Sequence, residues 1–197
     1  MARLDYELIE SLVPDGASVL DLGCGDGQLL EELIAKRRAR GSGVDVSQAA
    51  VEACVGRGLP VVHGDLDEGL ADFADDSLDV VILSLSLQQL RHPRMVVREM
   101  ARVGRLAVVS FPNFAHWSLR AQLAFRGRMP VSKDLPFQWW DTPNIHLCTI
   151  RDFRALCREE GLCIEREIAL RALDRPPARL RRPNLTARIA IFSVRRC

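Results

Sequence analysis

Lysine and tyrosine are almost missing from this 197-residue chain, and each shortage excludes chemistry. Tyr6 is the only tyrosine, and Lys36 and Lys133 are the only lysines, so 25 of the 27 basic residues are arginine. A Tyr-x-x-x-Lys catalytic pair of the dehydrogenase kind therefore has no place in it. No apolar run approaches the ~18 residues needed to cross a bilayer. Asp5, Glu7 and Glu10 interrupt any apolar leader at the N-terminus. The six cysteines (Cys24, Cys54, Cys148, Cys157, Cys163, Cys197) form no Cys-x-x-Cys pair and no zinc spacing. Reduced thiols acting as small apolar side chains are expected, in a cytoplasmic setting. An excess of one charge is also lacking. A net charge of +1 gives no global pull toward nucleic acid or a membrane surface. The C-terminal arginines (Arg171, Arg175, Arg179, Arg181, Arg182, Arg188, Arg195, Arg196) accordingly read as a solvated polar edge rather than a nucleic-acid patch.

What is present fits one α/β domain over residues 1–197. The chain is 48% apolar and long enough to bury its own core. Leu4, Leu8, Ile9 and Leu12 predict a helix over 3–12. A strand at 18–21, a helix at 28–38, a strand at 41–46 and a helix at 48–57 capped by Ser47 follow. Strands at 60–63, 78–83 and 105–110 come next, with a helix from Pro93 to about Arg102 ended by Gly104. Five strands alternating with helices predict a doubly wound, mostly parallel sheet. Two late strand-like runs, 162–170 and 187–194, predict an antiparallel C-terminal edge hairpin after a helix at 151–160. The Pro- and Arg-rich stretch 174–183 separates them.

Strand one runs into Asp21-Leu22-Gly23-Cys24-Gly25-Asp26-Gly27, a glycine loop that opens into a helix. Without side chains, a loop lets a ligand lie against its backbone, and the helix N-terminus supplies unpaired N–H groups. Such a loop alone is a weak signal, because many strand–helix turns carry glycine for packing. Here it is followed by Asp45 at the end of strand two, placed to accept from both hydroxyls of a ribose. Asp65-Leu66 after strand three can meet an adenine edge, and Ser84 to Gln89 after strand four form an opposite wall. The residues expected to hold a nucleotide are Asp21, Gly23, Cys24, Gly25, Gly27, Asp45, Val46, Asp65, Leu66, Ser84 and Gln89. A pyrophosphate on this loop would be repelled by Asp21, whereas an amino group and a sulfonium would be attracted. The pattern therefore favours S-adenosylmethionine (SAM) or S-adenosylhomocysteine over a dinucleotide.

Through Val19 to Gly27, Asp45 and Gly64-Asp65-Leu66 the sequence resembles the class I SAM-dependent methyltransferases. Within them it is similar to the MetW family of bacterial methionine biosynthesis. That likeness rests on His63 to Leu70, Asp79 to Ser84, Arg102 to Arg105, Ser110 to Phe114 with His116-Trp117, Arg126 to Val131, and Trp140 to Phe153. Phe137-Gln138-Trp139-Trp140 and Ser84 to Gln89 depart from the pattern. The likeness covers about residues 1–170. It implies SAM as cofactor and a role as accessory or activating partner of homoserine O-acyltransferase, with methyl transfer to a small-molecule acceptor as the alternative. Ser84-Leu85-Ser86-Leu87 stands where a nucleic-acid methyltransferase would carry Asn/Asp-Pro-Pro-aromatic, which argues against nucleic acid.

Residues 112–148 form an inserted lid or partner segment. His116 and His146 within it are candidate general bases, because imidazole titrates in the useful range; the competing reading is hydrogen bonds that fix loop shape. Trp117, Trp139 and Trp140 are expected in a lid or core, with a partner-facing patch as the other possibility.

Overall fold

The computed structural model describes residues 4–172 and 180–197. Strands β1 (Ser18–Leu22), β2 (Arg40–Asp45), β3 (Val61–His63), β4 (Leu78–Ser84), β5 (Gly104–Pro112), β6 (Leu162–Leu170) and β7 (Ile189–Arg196) make one sheet, in the order β3-β2-β1-β4-β5-β7-β6. The first five pair in parallel. β7 lies between β5 and β6 and runs antiparallel to both. The chain first builds outward from β1 to β3, then returns to the other side of β1 with β4. That reversal opens a crevice beyond the carboxyl ends of β1 and β4.

Helices α1 (Leu4–Glu10), α2 (Gln28–Arg37), α3 (Gln48–Gly56), α4 (Pro93–Val103), α5 (Trp117–Arg126), α6 (Ile150–Glu159) and α7 (Pro183–Thr186) complete the chain. Period-2 alternation in the central strands divides the core. Val19, Val80, Ile82 and Val108 face Ile9, Leu29 and Leu33 of α1 and α2. Leu20, Val81, Leu83 and Val109 face Val97, Met100 and Phe153 of α4 and α6. Both faces of β4 are therefore buried, as its unbroken apolar run requires. The Ser47 side chain accepts from Ala50 N at the start of α3, and Thr149 and Asp152 form a reciprocal capping box on α6.

Three expectations change. The opening helix stops at Glu10 rather than residue 12, with Arg3 outside the described residues. Most of 174–183 also lies outside them, including Arg175 and Arg179. The cysteines are not all reduced. Cys163 and Cys197 form a disulfide across 34 residues, because the antiparallel register pairs Leu162 with Arg196 and brings the two Cα atoms to 5.1 Å. No local spacing in the sequence signals that pairing. Cys24, Cys54, Cys148 and Cys157 are free. Finally, Trp117, Trp139 and Trp140 are not buried, with 57, 70 and 67% of their surfaces exposed. The segment between α5 and α6, which carries Trp139 and Trp140, contains no helix or strand.

Candidate functional site

A cleft of about 430 Å³ lies at the carboxyl ends of the parallel strands, within the range of small-ligand sites (roughly 300–1,000 Å³). Gly23 and Gly25 of the β1–α2 loop, Asp45 and Val46 after β2, Asp65, Leu66 and Asp67 after β3, and Ser86, Gln89, Leu90 and Arg91 after β4 line it. Three carboxylates against one guanidinium make it a site for a cation.

Asp45 ties the cleft together. It is buried, and its two oxygens accept from Gly25 N at 2.8 Å and from Ser47 N at 2.9 Å. The acid thus holds the tip of the glycine loop against the end of β2. Gly25 has a φ of +56°, and a methyl group there would meet no other atom, so the loop leaves open space above its backbone. Asp65 caps the turn Leu66–Glu68 by accepting from Asp67 N at 2.9 Å, and its other oxygen pairs with Arg91 at 3.2 Å. Asp67 accepts from Arg91 N and His92 N at 3.0 and 2.7 Å, fixing the loop before α4. Val46, a 63% exposed apolar side chain on the rim, offers a surface for a flat ring.

The opposite wall begins with backbone strain. Leu85 follows β4 with a φ of +56°, a left-handed conformation that costs a leucine on the order of 1 kcal/mol or more. Its N–H is held by Ser110 O and Ser110 Oγ, both at 3.0 Å, and Ser86 is thereby turned into the cleft.

Asp21 sits at the end of β1, 2% exposed, and its Oδ1 has no hydrogen-bond partner among the described residues. Burial, then the charge of Asp45, pushes its carboxyl up to about 7. A buried carboxylate left without a partner is costly unless a cation compensates it, which is the property expected of a residue waiting for a positively charged ligand.

Of the eleven residues expected to hold the nucleotide, Gly23, Gly25, Asp45, Val46, Asp65, Leu66 and Gln89 line the cleft together. Asp21 does not line the cleft; it is buried at the end of β1, near enough to Asp45 to feel its charge. Cys24, Gly27 and Ser84 face elsewhere. The Cys24 thiol lies 3.9 Å from that of Cys54 in a small core patch, where burial pushes the pKa of both thiols up. A methyl group at Gly27 would stand 2.5 Å from Leu59 Cδ1, so this glycine lets α2 pack on α3. The Ser84 hydroxyl meets Ser110 Oγ at 3.3 Å, across the β4–β5 pair. Ser86 lies in the lining within the expected wall 84–89, whereas Asp67, Leu90 and Arg91 are not among the residues the sequence singles out. Asp67 follows directly on Gly64-Asp65-Leu66 and was open to detection; Arg91 becomes visible only once the fold carries its loop back to Asp65.

Neither histidine candidate lines the cleft. His116 caps α5, its Nδ1 2.8 Å from Ser118 Oγ, in a separate small pocket with Asp134 and Arg188; burial, then the charge of Arg188, lowers its pKa. His146 is closer. Its backbone N–H donates to Gln88 O at 3.0 Å, and its Nε2 lies 3.4 Å from Arg91 O. It braces the outside of the cleft wall, as the loop-fixing reading has it.

Strand order and the glycine cleft define a class I methyltransferase fold, and comparison with solved structures agrees. A SAM-dependent methyltransferase from Mesorhizobium loti superposes with a TM-score of 0.72 at 18% identity, covering 98% of each chain. A chain from the complex between the Haloferax volcanii Trm112 methyltransferase activator and a putative methyltransferase gives 0.67 at 20% identity, over 98% of this chain and 89% of that one. Sequence narrows the class. The model for "Methionine biosynthesis protein MetW" matches residues 3–194. The bifunctional methionine biosynthesis protein MetXA/MetW of Rhodopirellula baltica is 40% identical over a 175-residue alignment that covers 84% of this chain and 28% of that protein. This chain belongs to the MetW family. It spans less than a third of that bifunctional relative's length.

Proposed function

We propose that this protein binds SAM in the acid-lined cleft and acts in methionine biosynthesis as an accessory or activating partner of homoserine O-acyltransferase. The observation that carries the ligand assignment is the unpartnered, buried Asp21 beside a cleft whose wall adds Asp45, Asp65 and Asp67. These residues suit an amino group, a sulfonium and a hydroxylated ribose. Asp45 would accept from the ribose hydroxyls, Asp65 and Leu66 would meet the adenine edge, and the backbone of Gly23 and Gly25 would approach the carboxylate. When bound, SAM would bring an electrophilic methyl group; this chain's own residues orient it and keep its charge compensated.

The accessory role is supported by the lining itself. The cleft lining contains no histidine, tyrosine, lysine or cysteine among the described residues, and each of its three carboxylates already accepts from backbone N–H groups, so none of them stands free as a base for a protonated nucleophile. The relative that joins MetXA and MetW in one chain supports an acyltransferase as the partner. Methyl transfer to a small-molecule acceptor is the second reading. A nucleophile that needs no deprotonation requires only alignment, and the carboxylates of the cleft would still hold the donor. Nucleic acid is disfavoured as a partner by the ion pairs that occupy three of the C-terminal arginines: Arg188 with Asp134, Arg195 with Glu165, and Arg196 with Asp75 and Asp76.

The deciding experiment assays homoserine O-acyltransferase from the same host with and without this protein, with SAM present and absent. A rate increase that requires this chain supports the accessory role. Unchanged acyltransferase rates, together with methylated product from labelled SAM and host metabolites, would establish the second reading instead.

A further inference from the structure

None of the three tryptophans of the chain is buried, and Trp139 and Trp140 stand together with ring centroids 5.6 Å apart. Helix α5 buries only Leu119, and Phe125 on it is 90% exposed. The chain beyond α5 adds Met129, Phe137, Trp139 and Trp140 to the same exposed set. Trp139 also lines an apolar recess of about 190 Å³, together with Phe114, Leu135 and Leu147 and with polar Gln138 and Asn144 at its walls. Clustered exposed aromatics with methionine and arginine are the composition of a protein interface, not of an ordinary surface. We propose that α5 and residues 127–147 form the docking face for the homoserine O-acyltransferase subunit, which inserts an apolar anchor into the recess and surrounds it with acidic side chains. The proposal rests on the accessory role above and assigns it a surface.

The charges select the occupant. Arg126, Arg128 and Lys133 carry no ion pair among the described residues, and the nearby acid Asp134 is taken up by Arg188. Asp141 is the remaining acid of 127–147. The face is therefore basic around an apolar centre. A second copy of the same chain would set like charges against each other across a two-fold contact. A lipid surface would attract the charges, but it is flat and offers no knob for a recess with amide groups in its walls. A protein with an acidic rim and a projecting apolar side chain satisfies both features.

The test co-expresses the full chain with its host's acyltransferase and measures complex formation by co-purification and light scattering. The variants are Phe125→Glu, Trp139→Glu and the double change Arg126→Glu/Arg128→Glu; Val55→Glu, on exposed α3, is the control. Heat of SAM binding and far-UV circular dichroism report folding of each variant. The proposal expects at least tenfold weaker association for the three face variants, wild-type association for Val55→Glu, and unchanged SAM binding throughout. Wild-type association in all three face variants would overturn the surface assignment and leave the acyltransferase partnership standing. Failure of the unaltered chain to associate would remove both. A dimer of this chain alone that Phe125→Glu splits, or binding of the unaltered chain to phosphatidylserine vesicles that Arg126→Glu/Arg128→Glu abolishes, would also overturn it by giving the face another occupant.

Discussion

Asp21 carries a testable electrostatic cost. Its carboxyl titrates at about 7 in the folded chain against an ordinary value of 3.8. Below the lower value, folded and unfolded chains both keep the proton and no penalty arises. As pH rises toward 7 the unfolded chain ionises first, so the stability of the ligand-free protein falls across that interval and levels off above it. Urea midpoints measured from pH 4 to 8 should show the decline. Asp21→Asn should flatten it and stabilise the ligand-free protein at pH 8 by about 2 kcal/mol. The same change should weaken SAM binding, because the cation loses the charge that compensates it. In the unaltered protein SAM affinity should rise through pH 7 as Asp21 ionises. An affinity independent of pH from 6 to 8 would disconnect this residue from the ligand. Gly25 separates ligand contact from folding in a second way. Gly25→Ala meets no neighbouring atom but strains a φ of +56° and fills the space over the loop. It should reduce SAM affinity about tenfold or more while costing only about 1 kcal/mol of stability, as read from calorimetry and denaturation together.

At the scale of elements, the glycine loop has two ends with different tasks. Gly25 faces the cleft, whereas Gly27 lies under the start of α2, where a side chain would collide with Leu59 and Cys54. Gly27→Ala should therefore destabilise the whole fold, by roughly 1–3 kcal/mol, and depress ligand binding only in proportion to the unfolded fraction. A selective loss of SAM affinity in a fully stable Gly27→Ala protein would show that this separation is mistaken. The 145–147 stretch is the other informative element. It joins the exposed aromatic face to the cleft wall through Ile145 N and His146 N, both donating to Gln88 O, one residue before Gln89 of the lining. Amide hydrogen exchange at 145–147 should slow when SAM binds, whereas α1 on the far side should not respond. Equal exchange in the two states would mean that the strap does not sense the cleft.

Across the whole molecule, what was legible in the sequence is what local periodicity and strand-end chemistry encode. Val80 and Ile82 against Val81 and Leu83 make β4 readable as doubly buried, and Asp45 and Asp65 could be placed because one ends a strand and the other follows one by two residues. Contacts created by topology alone were not legible. Arg91 reaches Asp65 across 26 residues, and Cys163 reaches Cys197 only because β7 inserts beside β6. The general tendency of large rings to be buried favours a lid or core for the tryptophans, with a partner-facing patch as the other possibility, and the structure leaves all three exposed. The disulfide closes a 34-residue loop at the sheet edge. Its reduction should lower stability by about 2–4 kcal/mol in the loop-entropy view, visible as a lower unfolding midpoint with dithiothreitol. All of this depends on a cationic nucleoside in the cleft. Isothermal titration with SAM at pH 7.5 should give one site per chain, and Asp45→Ala, which frees the glycine loop from β2, should weaken it at least a hundredfold. Absence of binding heat with both SAM and S-adenosylhomocysteine, or full affinity in Asp45→Ala, would contradict the account.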